Sequence, residues 1–154
     1  MLALLRKFAD RIMQRRGPDQ VIGGYDHPYL LRWYVIPKNR FFNVYLHRFW
    51  RSDDDRALHD HPWANLSILV EGEYIEHMPQ GQTHRKAGGW KLRRATSTHR
   101  IALIDGKPCT TFFLTGPKIR EWGFHCPKGW IHWREFTAPD DSNITGKGCG
   151  GVTL

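Results

Sequence analysis

The chain is a succession of short segments rich in aromatic and β-branched residues, each bounded by Pro, Gly, Asn or Asp. Aromatic and β-branched side chains favour strands, and the bounding residues favour turns. The strand-like segments are YLLRWYVIP, FFNVYLHRFW, ANLSILVEGEYIEHM, GWKLRRATS, HRIALI, CTTFFLTG and GWIHWREFT. Strands of this length and spacing predict an all-β antiparallel sandwich or barrel, with a hairpin at Asp105-Gly106. A chain of 154 residues fits one domain.

A single helix is predicted at the N-terminus, from Leu2 to Arg16. Its apolar residues recur at helical spacing, basic residues occupy the other side, and Gly17-Pro18 ends it. We expect this amphipathic helix to pack on the domain; the alternative is a basic helix lying on a membrane or on nucleic acid. The predicted division is therefore a helix over 1–18, a barrel over 19–137 and a flexible tail over 138–154, which is rich in Gly, Ser, Asn and Asp.

Net charge and cysteine content narrow the partners and the compartment. The formal charge of +8 attracts anions, whether nucleic acid, a membrane surface or a small acidic molecule. The basic residues are scattered and only KLRR forms a cluster, so nucleic acid is not favoured. Three widely spaced cysteines without a CxxC pair argue against a disulfide framework and predict a cytoplasmic protein. No apolar run is long enough to predict a membrane span.

The stretch DDDRALHDHPWANLSILVEG, from Asp53 to Gly72, carries the strongest chemical signal. His59 and His61 stand two residues apart, so on a strand their side chains point to the same face and can hold one ion. His99, on a later strand, would complete a three-nitrogen face with open positions for water or substrate. Trp63 and Asn65 have the same parity and are predicted to contact the substrate.

This stretch resembles the first motif of the cupins, G(X)5HXH(X)3-4E(X)6G. His59, His61 and Gly72 fall in register, whereas Asp53 replaces the first glycine and Asn65 replaces the glutamate ligand. The second motif, G(X)5PXG(X)2H(X)3N, retains Gly88 and His99. The resemblance implies a double-stranded β-helix, the cupin or jelly-roll barrel, with a metal held near its mouth by three histidines and without a carboxylate ligand.

The expected function is that of a metal-dependent cupin acting on a small, anionic molecule, most nearly a non-haem iron oxygenase. Three neutral imidazoles suit several divalent transition metals; Fe2+ is the first choice, and Zn2+, Ni2+ and Mn2+ are alternatives. A competing hypothesis is a non-catalytic module that binds a small molecule or a sugar, and another is a basic nucleic-acid-binding accessory protein. Edge strands that must be covered favour a homodimer.

Further pocket residues follow from strand alternation and from side-chain chemistry. Tyr45 and His47 share one face of the strand before the motif, while Arg48 takes the other, and the sequence does not tell which face is inside. Arg100 and Arg120 are candidate carboxylate clamps. His125 and Tyr45 are candidate catalytic residues, His125 as an acid or base. The aromatic segment around His125 is expected to close one end of the barrel; Cys126 and His132 as a zinc site would lack further ligands.

Overall fold

A computed structural model describes residues 1–53, 57–138 and 146–150. Helix α1 spans Leu2–Arg15, helix α2 spans Trp133–Phe136, and Ile104–Gly106 forms a 3-10 turn. The strands are β1 Gln20–Ile22, β2 Leu30–Tyr34, β3 Asn43–Phe49, β4 Leu58–His59, β5 Asn65–Glu71, β6 Glu73–Met78, β7 Gly81–Lys86, β8 Trp90–Arg93, β9 Arg100–Leu103, β10 Cys109–Thr115, β11 Gly123–Cys126 and β12 Gly129–His132. The described residues thus form the expected antiparallel β-structure with one N-terminal helix.

The strands form two walls of the barrel. One wall is a six-stranded antiparallel sheet in the order β1-β2-β3-β10-β5-β8. The other consists of two three-stranded sheets, β12-β11-β4 and β7-β6-β9, which an antiparallel bridge between His59 and His99 joins. In that bridge each backbone N–H donates to the other residue's carbonyl, at 2.9 and 3.0 Å. Directly paired residues in antiparallel strands project to the same side, so the bridge puts both imidazoles on one face.

Apolar side chains occupy both faces of the six-stranded sheet. Inside the barrel, a buried cluster joins the two walls and consists of Leu30, Phe49, Leu69, Tyr74, Ile101 and Cys109. On the outer face, α1 covers a second cluster, in which Ala9 packs with Trp33, Leu46, Val70 and Phe112. Phe8 stacks on Phe112 with 5.9 Å between the ring centroids. The structure therefore supports a docked terminal helix rather than a free basic helix.

Three features of the strand prediction were wrong. GWIHWREFT is a strand only as far as His132, after which Trp133–Phe136 form helix α2. Asp105 and Gly106 do turn the chain, with φ of 53° and 65°. The flanking strands do not form a hairpin, however, because β9 pairs with β6 whereas β10 pairs with β3 and β5 in the opposite wall. The segment ANLSILVEGEYIEHM is also not one strand. It divides at Gly72, whose φ of 78° ends β5 and where a Cβ would meet the Pro108 carbonyl at 2.7 Å.

The expectation of unpaired cysteines was wrong as well. Cys126 and Cys149 form a disulfide, 23 residues apart in sequence, and Cys109 is a free, buried thiol. This spacing has no recognisable signature, and only the fold brings the two residues together. The disulfide also rules out Cys126 as a zinc ligand in this state. Much of the predicted tail over 138–154 lies outside the described residues; within 146–150, the amides of Gly146 and Gly148 donate to the Phe136 carbonyl.

No helix in the described parts of the chain is both long and apolar enough to cross a membrane. The KLRR segment is not a surface cluster, because Arg93 is buried and pairs with Glu76 inside the barrel.

Candidate metal centre and ligand cavity

His59, His61 and His99 converge at one place on the inner surface of the barrel. Each offers one ring nitrogen, and these three nitrogens lie within 4.8 Å of one another. His59 and His99 are joined by the backbone bridge, and His61 follows His59 by two residues along the chain. The Nε2 atoms of His61 and His99 are 3.0 Å apart. The strand pairing and the i, i+2 spacing together explain why the three rings meet.

Two acidic side chains lie close to Nδ1 of two of these imidazoles. The Nδ1 atom of His99 lies 3.0 Å from Oε1 of Glu76, although the ring N–H is not aligned for a linear hydrogen bond. Nδ1 of His59 lies 3.8 Å from Oδ2 of Asp53, which also accepts the Ile101 amide at 2.6 Å. Carboxylates near Nδ1 favour a proton on that nitrogen and leave Nε2 of each ring as the ligand atom.

Glu76 is the centre of a buried ionic group. Its side chain is fully buried on β6 and accepts hydrogen bonds from Arg93 and from Arg85, the latter at 2.8 Å. Burial acts to raise the pKa of Glu76, but His99 and Arg93 more than offset this and hold the pKa far below its usual value. Glu76 is therefore an ionised carboxylate next to Nδ1 of His99.

Asp60, between the two motif histidines, points to the opposite side and organises the neighbouring sheet. It is 2 % exposed, accepts the Gly123 amide at 2.8 Å and the Trp130 indole N–H at 3.1 Å, and pairs with Arg120 at 2.8 Å. These contacts fix the edge of β11 against β4. Asp60 thus supports the position of the strand that carries His59.

Three histidines of the cavity, His47, His59 and His61, are held neutral. Burial lowers the pKa of His59 to about 4, and the pKa of His61 falls well below its usual value through burial and the neighbouring histidines. Burial, and next the guanidinium of Arg32, also keep the pKa of His47 low. Neutral imidazoles have a free lone pair at neutral pH, which metal coordination requires.

The three histidines line a cavity of about 540 Å³. Aromatic side chains form much of its wall: Tyr29, Tyr34, Phe49, Trp63, Tyr74, Phe113, Trp122, Phe124, Trp133 and Phe136. Polar and charged groups enter it at a few points, among them Arg32, His47, Asp53, Ser67 and Thr111. A largely apolar cavity with a few convergent polar groups is typical of a small-molecule site.

The structure decides which face of β3 points inward. His47 and Phe49 line the cavity, and Tyr45 lies on the same inward face, buried against His47 with 5.7 Å between the ring centroids. Tyr45 itself does not line the cavity. Arg48 lies on the outer face, where it pairs with Glu71 at 3.2 Å and stacks over Trp50. This placement replaces the expectation that Arg48 contacts a bound substrate.

Three other candidates also lie away from the cavity. Arg100 is at the far side of β9 and contacts Nδ1 of His77 at 3.3 Å. Arg120 is committed to its ion pair with Asp60. His125 is 44 % exposed and lies 3.3 Å from Asp60, because its neighbour Phe124 takes the inward position on β11. None of the three is placed to touch a ligand held by the histidines, and the structure corrects the expectation for Arg100 and His125.

The two substrate-contact candidates of the motif strand differ in position. Trp63 lines the cavity, and its buried indole N–H has no partner among the residues the structure describes. Asn65 is buried beside Thr115 and Arg93 but does not line the cavity, and its amide atoms have no described partner either. The site is thus a three-histidine one without a side-chain ligand from the position of the motif glutamate.

Solved structures share this architecture at low sequence identity. A protein with a double-stranded β-helix domain from Klebsiella pneumoniae superposes with a TM-score of 0.53 and 17 % identity, covering 67 % of this chain and 90 % of its own. A cupin-2 domain protein from Shewanella frigidimarina gives 0.51 and 12 %, covering 71 % and 91 %. The chain has the cupin fold. A third match, the DMSP lyase DddQ from Ruegeria pomeroyi, gives 0.53 and 14 %, covering 75 % and 61 %.

No family model and no curated protein matches the sequence. Because the structural matches are this distant in sequence, they establish the double-stranded β-helix of cupins, and the chemistry has to be argued from the side chains.

The donor set fits a divalent transition metal. Two imidazole nitrogens bound at about 2.1 Å and at a right angle would stand about 3 Å apart, and Nε2 of His61 and Nε2 of His99 stand at 3.0 Å. Each ring nitrogen that faces away from the cluster in His59 and His99 has a carboxylate nearby, as metal-bound imidazoles usually do. The cavity in front of the rings leaves room for further ligands.

Sequence reasoning missed the residues that support the site: Glu76, Arg93, Asp60 and Arg32. A signal existed for Glu76, because it has the same strand parity as Tyr74 in EYIEHM and therefore faces inward on β6. Arg32 gave no comparable signal, since a single arginine in an apolar strand does not reveal its partner.

Proposed function

We propose that this chain is a metal-dependent enzyme that acts on a small anionic molecule, with a non-haem iron oxygenase as the leading reaction type. The observation that carries the proposal is the convergence of His59, His61 and His99 at the wall of a cavity lined largely by aromatic side chains. Three neutral imidazoles leave the full charge of a divalent ion uncompensated, which favours an anionic ligand. Ferrous iron held there would supply open coordination positions suited to oxidation of the bound molecule.

The surrounding residues would orient the substrate and exclude water. Glu76 and Asp53 lie 3.0 and 3.8 Å from Nδ1 of His99 and His59, which favours a proton on Nδ1 and leaves Nε2 as the ligand atom. Phe113 and Trp122 lie against His61 and His59, with centroid separations of 5.8 and 6.5 Å, and restrict access to the cluster. The buried N–H of Trp63 and the hydroxyl of Thr111 offer hydrogen bonds to polar atoms of a ligand.

Metal content and turnover test this proposal together. Protein purified without added metal is loaded with Fe2+, Zn2+, Ni2+ or Mn2+, and the bound metal is measured for the wild type, His99→Ala and His84→Ala. His84 is a matched control, because it is a half-exposed histidine on β7 that pairs with Glu73, away from the cavity. We expect about one equivalent of metal in the wild type and in His84→Ala, and loss of it in His99→Ala. Equal metal in all three proteins would contradict the site.

Oxygen uptake then separates reaction types. The metal-loaded protein is given a panel of small carboxylates, with substrate loss and oxygen consumption measured in parallel. Coupled loss of both supports the oxygenase. Substrate loss without oxygen uptake would instead indicate lyase or isomerase chemistry, as the name of the DMSP lyase with this fold suggests.

A non-catalytic binding module is the second candidate. One observation favours it: neither Tyr45 nor His125, the two expected catalytic residues, lines the cavity. For this candidate we expect metal and ligand binding without turnover of any molecule in the panel.

A further inference from the structure

Arg32, His47 and Thr111 lie side by side on the inner surface of the six-stranded wall. Strand register pairs Arg32 on β2 with His47 on β3, and His47 with Thr111 on β10. All three line the cavity that contains the metal-binding histidines. Residues paired across antiparallel strands share a face, so this row is a consequence of the register.

The guanidinium of Arg32 is held rigidly by neutral groups. Its Nε donates to Nε2 of His47 at 2.9 Å, its Nη1 donates to the side-chain oxygen of Gln20 at 3.1 Å, and its Cζ lies 4.9 Å from the ring centroid of Tyr45. A guanidinium has five N–H donors, so these two hydrogen bonds leave three N–H groups, both of those on Nη2 included, without a partner among the described residues. No carboxylate in the described ranges pairs with Arg32.

Arg32 keeps its positive charge although no carboxylate among the described residues pairs with it. Burial lowers the pKa of Arg32, but an arginine stays protonated under ordinary conditions, so the charge remains. The other arginine of the cavity, Arg93, is buried and is neutralised by Glu76. Asp53 is the one carboxylate among the described lining residues, and it is occupied by Tyr29 and the Ile101 amide. Among the described lining residues, Arg32 therefore has no paired carboxylate, and the exposed Lys38 also lines the cavity.

One aromatic side chain, Phe113, contacts both His47, the neighbour of Arg32, and His61 of the histidine cluster. Phe113 stacks on His47 with 5.1 Å between the centroids and contacts His61 at 5.8 Å. The hydroxyl of Thr111, on the strand next to His47, and the indole N–H of Trp63 also belong to the cavity wall and are buried without a described partner. Both groups are available to hydrogen-bond a molecule held in the cavity.

We propose that Arg32 is the carboxylate-binding residue of the cavity, and that the natural ligand is a small organic carboxylate with its anionic group on Arg32 and its other end directed to the three histidines. A carboxylate is planar and matches a guanidinium edge through two hydrogen bonds. A single guanidinium suits a monoanion better than a phosphate dianion. The assignment of the far end rests on the proposed function, whereas the contact at Arg32 does not need a metal.

Binding of benzoate to metal-free protein, measured by calorimetry, tests the subsite independently of catalysis. Benzamide is the uncharged comparison and phenyl phosphate the dianionic one. We expect benzoate to bind wild type more tightly than either comparison, and Arg32→Gln to weaken benzoate binding about tenfold or more. Arg32→Lys should recover part of the affinity, because it keeps the charge but loses the planar pair of donors. Arg11→Gln, an exposed arginine on α1, is the matched control and should bind like wild type.

Equal affinity of wild type and Arg32→Gln for benzoate, or equal binding of benzoate and benzamide to wild type, would overturn the proposal. Tighter binding of phenyl phosphate would overturn the assignment to a carboxylate. If Arg32→Gln fails to fold, the Arg32→Lys variant and the benzoate-to-benzamide ratio of wild type decide the question. If the wild type binds no metal but still binds benzoate through Arg32, the proposed function is refuted and the carboxylate subsite remains supported.

Discussion

At the scale of single residues, the site depends on Glu76, a carboxylate that does not line the cavity. Glu76 is fully buried and holds Arg93, Arg85 and His99 in one group. Removing one partner of a buried ionic group leaves the other charges without compensation, which costs more than the interaction itself contributes. Glu76 therefore stabilises the barrel wall and the orientation of His99 at the same time.

We predict that Glu76→Ala lowers the free energy of unfolding by about 3–5 kcal/mol, because Arg93 would remain buried without a counter-ion. Glu73→Ala, on the same strand, is the control: Glu73 is 44 % exposed and pairs with His84, so its loss should cost about 1 kcal/mol or less. Urea unfolding of the metal-free proteins measures both. A cost for Glu76→Ala no larger than that for Glu73→Ala would show that the ionic group is not structural.

At the scale of elements, helix α1 covers the outer face of the sheet whose inner face carries Arg32 and His47. Ala9 is 1 % exposed and meets the buried residues Leu46 and Phe112. The helix also reaches Glu71 at the end of β5 through Arg6, at 2.6 Å. Its packing supports the strands from behind and leaves their inner face to the cavity.

Ala9→Leu should lower the free energy of unfolding by about 1–3 kcal/mol, since the larger side chain must separate α1 from the sheet. Ala3→Leu makes the same change at an exposed position of the same helix and should alter stability by no more than about 0.5 kcal/mol. Chemical denaturation of the two variants beside wild type is the measurement. Equal stability of the two variants would mean that α1 is not packed as described.

At the scale of the whole molecule, the barrel encloses several imidazoles in their neutral form. Burial lowers the pKa of His59 to about 4 and places those of His47 and His61 well below the usual 6.5. Between the unfolded and the folded pKa, the unfolded chain binds more protons than the folded one. The contribution of these neutral imidazoles to the free energy of unfolding is therefore fully present above about pH 6.5 and is lost as the pH falls toward 4.

The free energy of unfolding of metal-free protein should accordingly decrease between about pH 7.5 and about pH 5, by up to about 2 kcal/mol for each buried imidazole. His47→Gln removes one of these groups and should make the decrease smaller. His84→Gln, at a half-exposed position, should leave the decrease unchanged. Urea titrations at a series of pH values compare the three proteins, and an identical pH dependence of His47→Gln and wild type would contradict the neutral, buried state of His47.

The sequence by itself determined the class of fold and the three metal-binding candidates. Strand-like segments, the i, i+2 pair His59 and His61, and the later His99 are local patterns whose geometry follows from strand alternation. Local patterns also predicted α1, because its apolar spacing repeats with the helical period.

Only the tertiary structure decided which charged side chains face the cavity. Alternation gives two faces for a strand but does not tell which is inside, and so Arg48 was assigned to the cavity whereas Arg32, on the neighbouring strand, was not. Cys126 and Cys149, and likewise Glu76 and His99, meet through pairings between segments distant in sequence. Such pairings depend on the apolar surface that the whole barrel buries, which no single segment determines. They place Glu76 next to Nδ1 of His99. They also leave Arg32 without a carboxylate partner among the described residues.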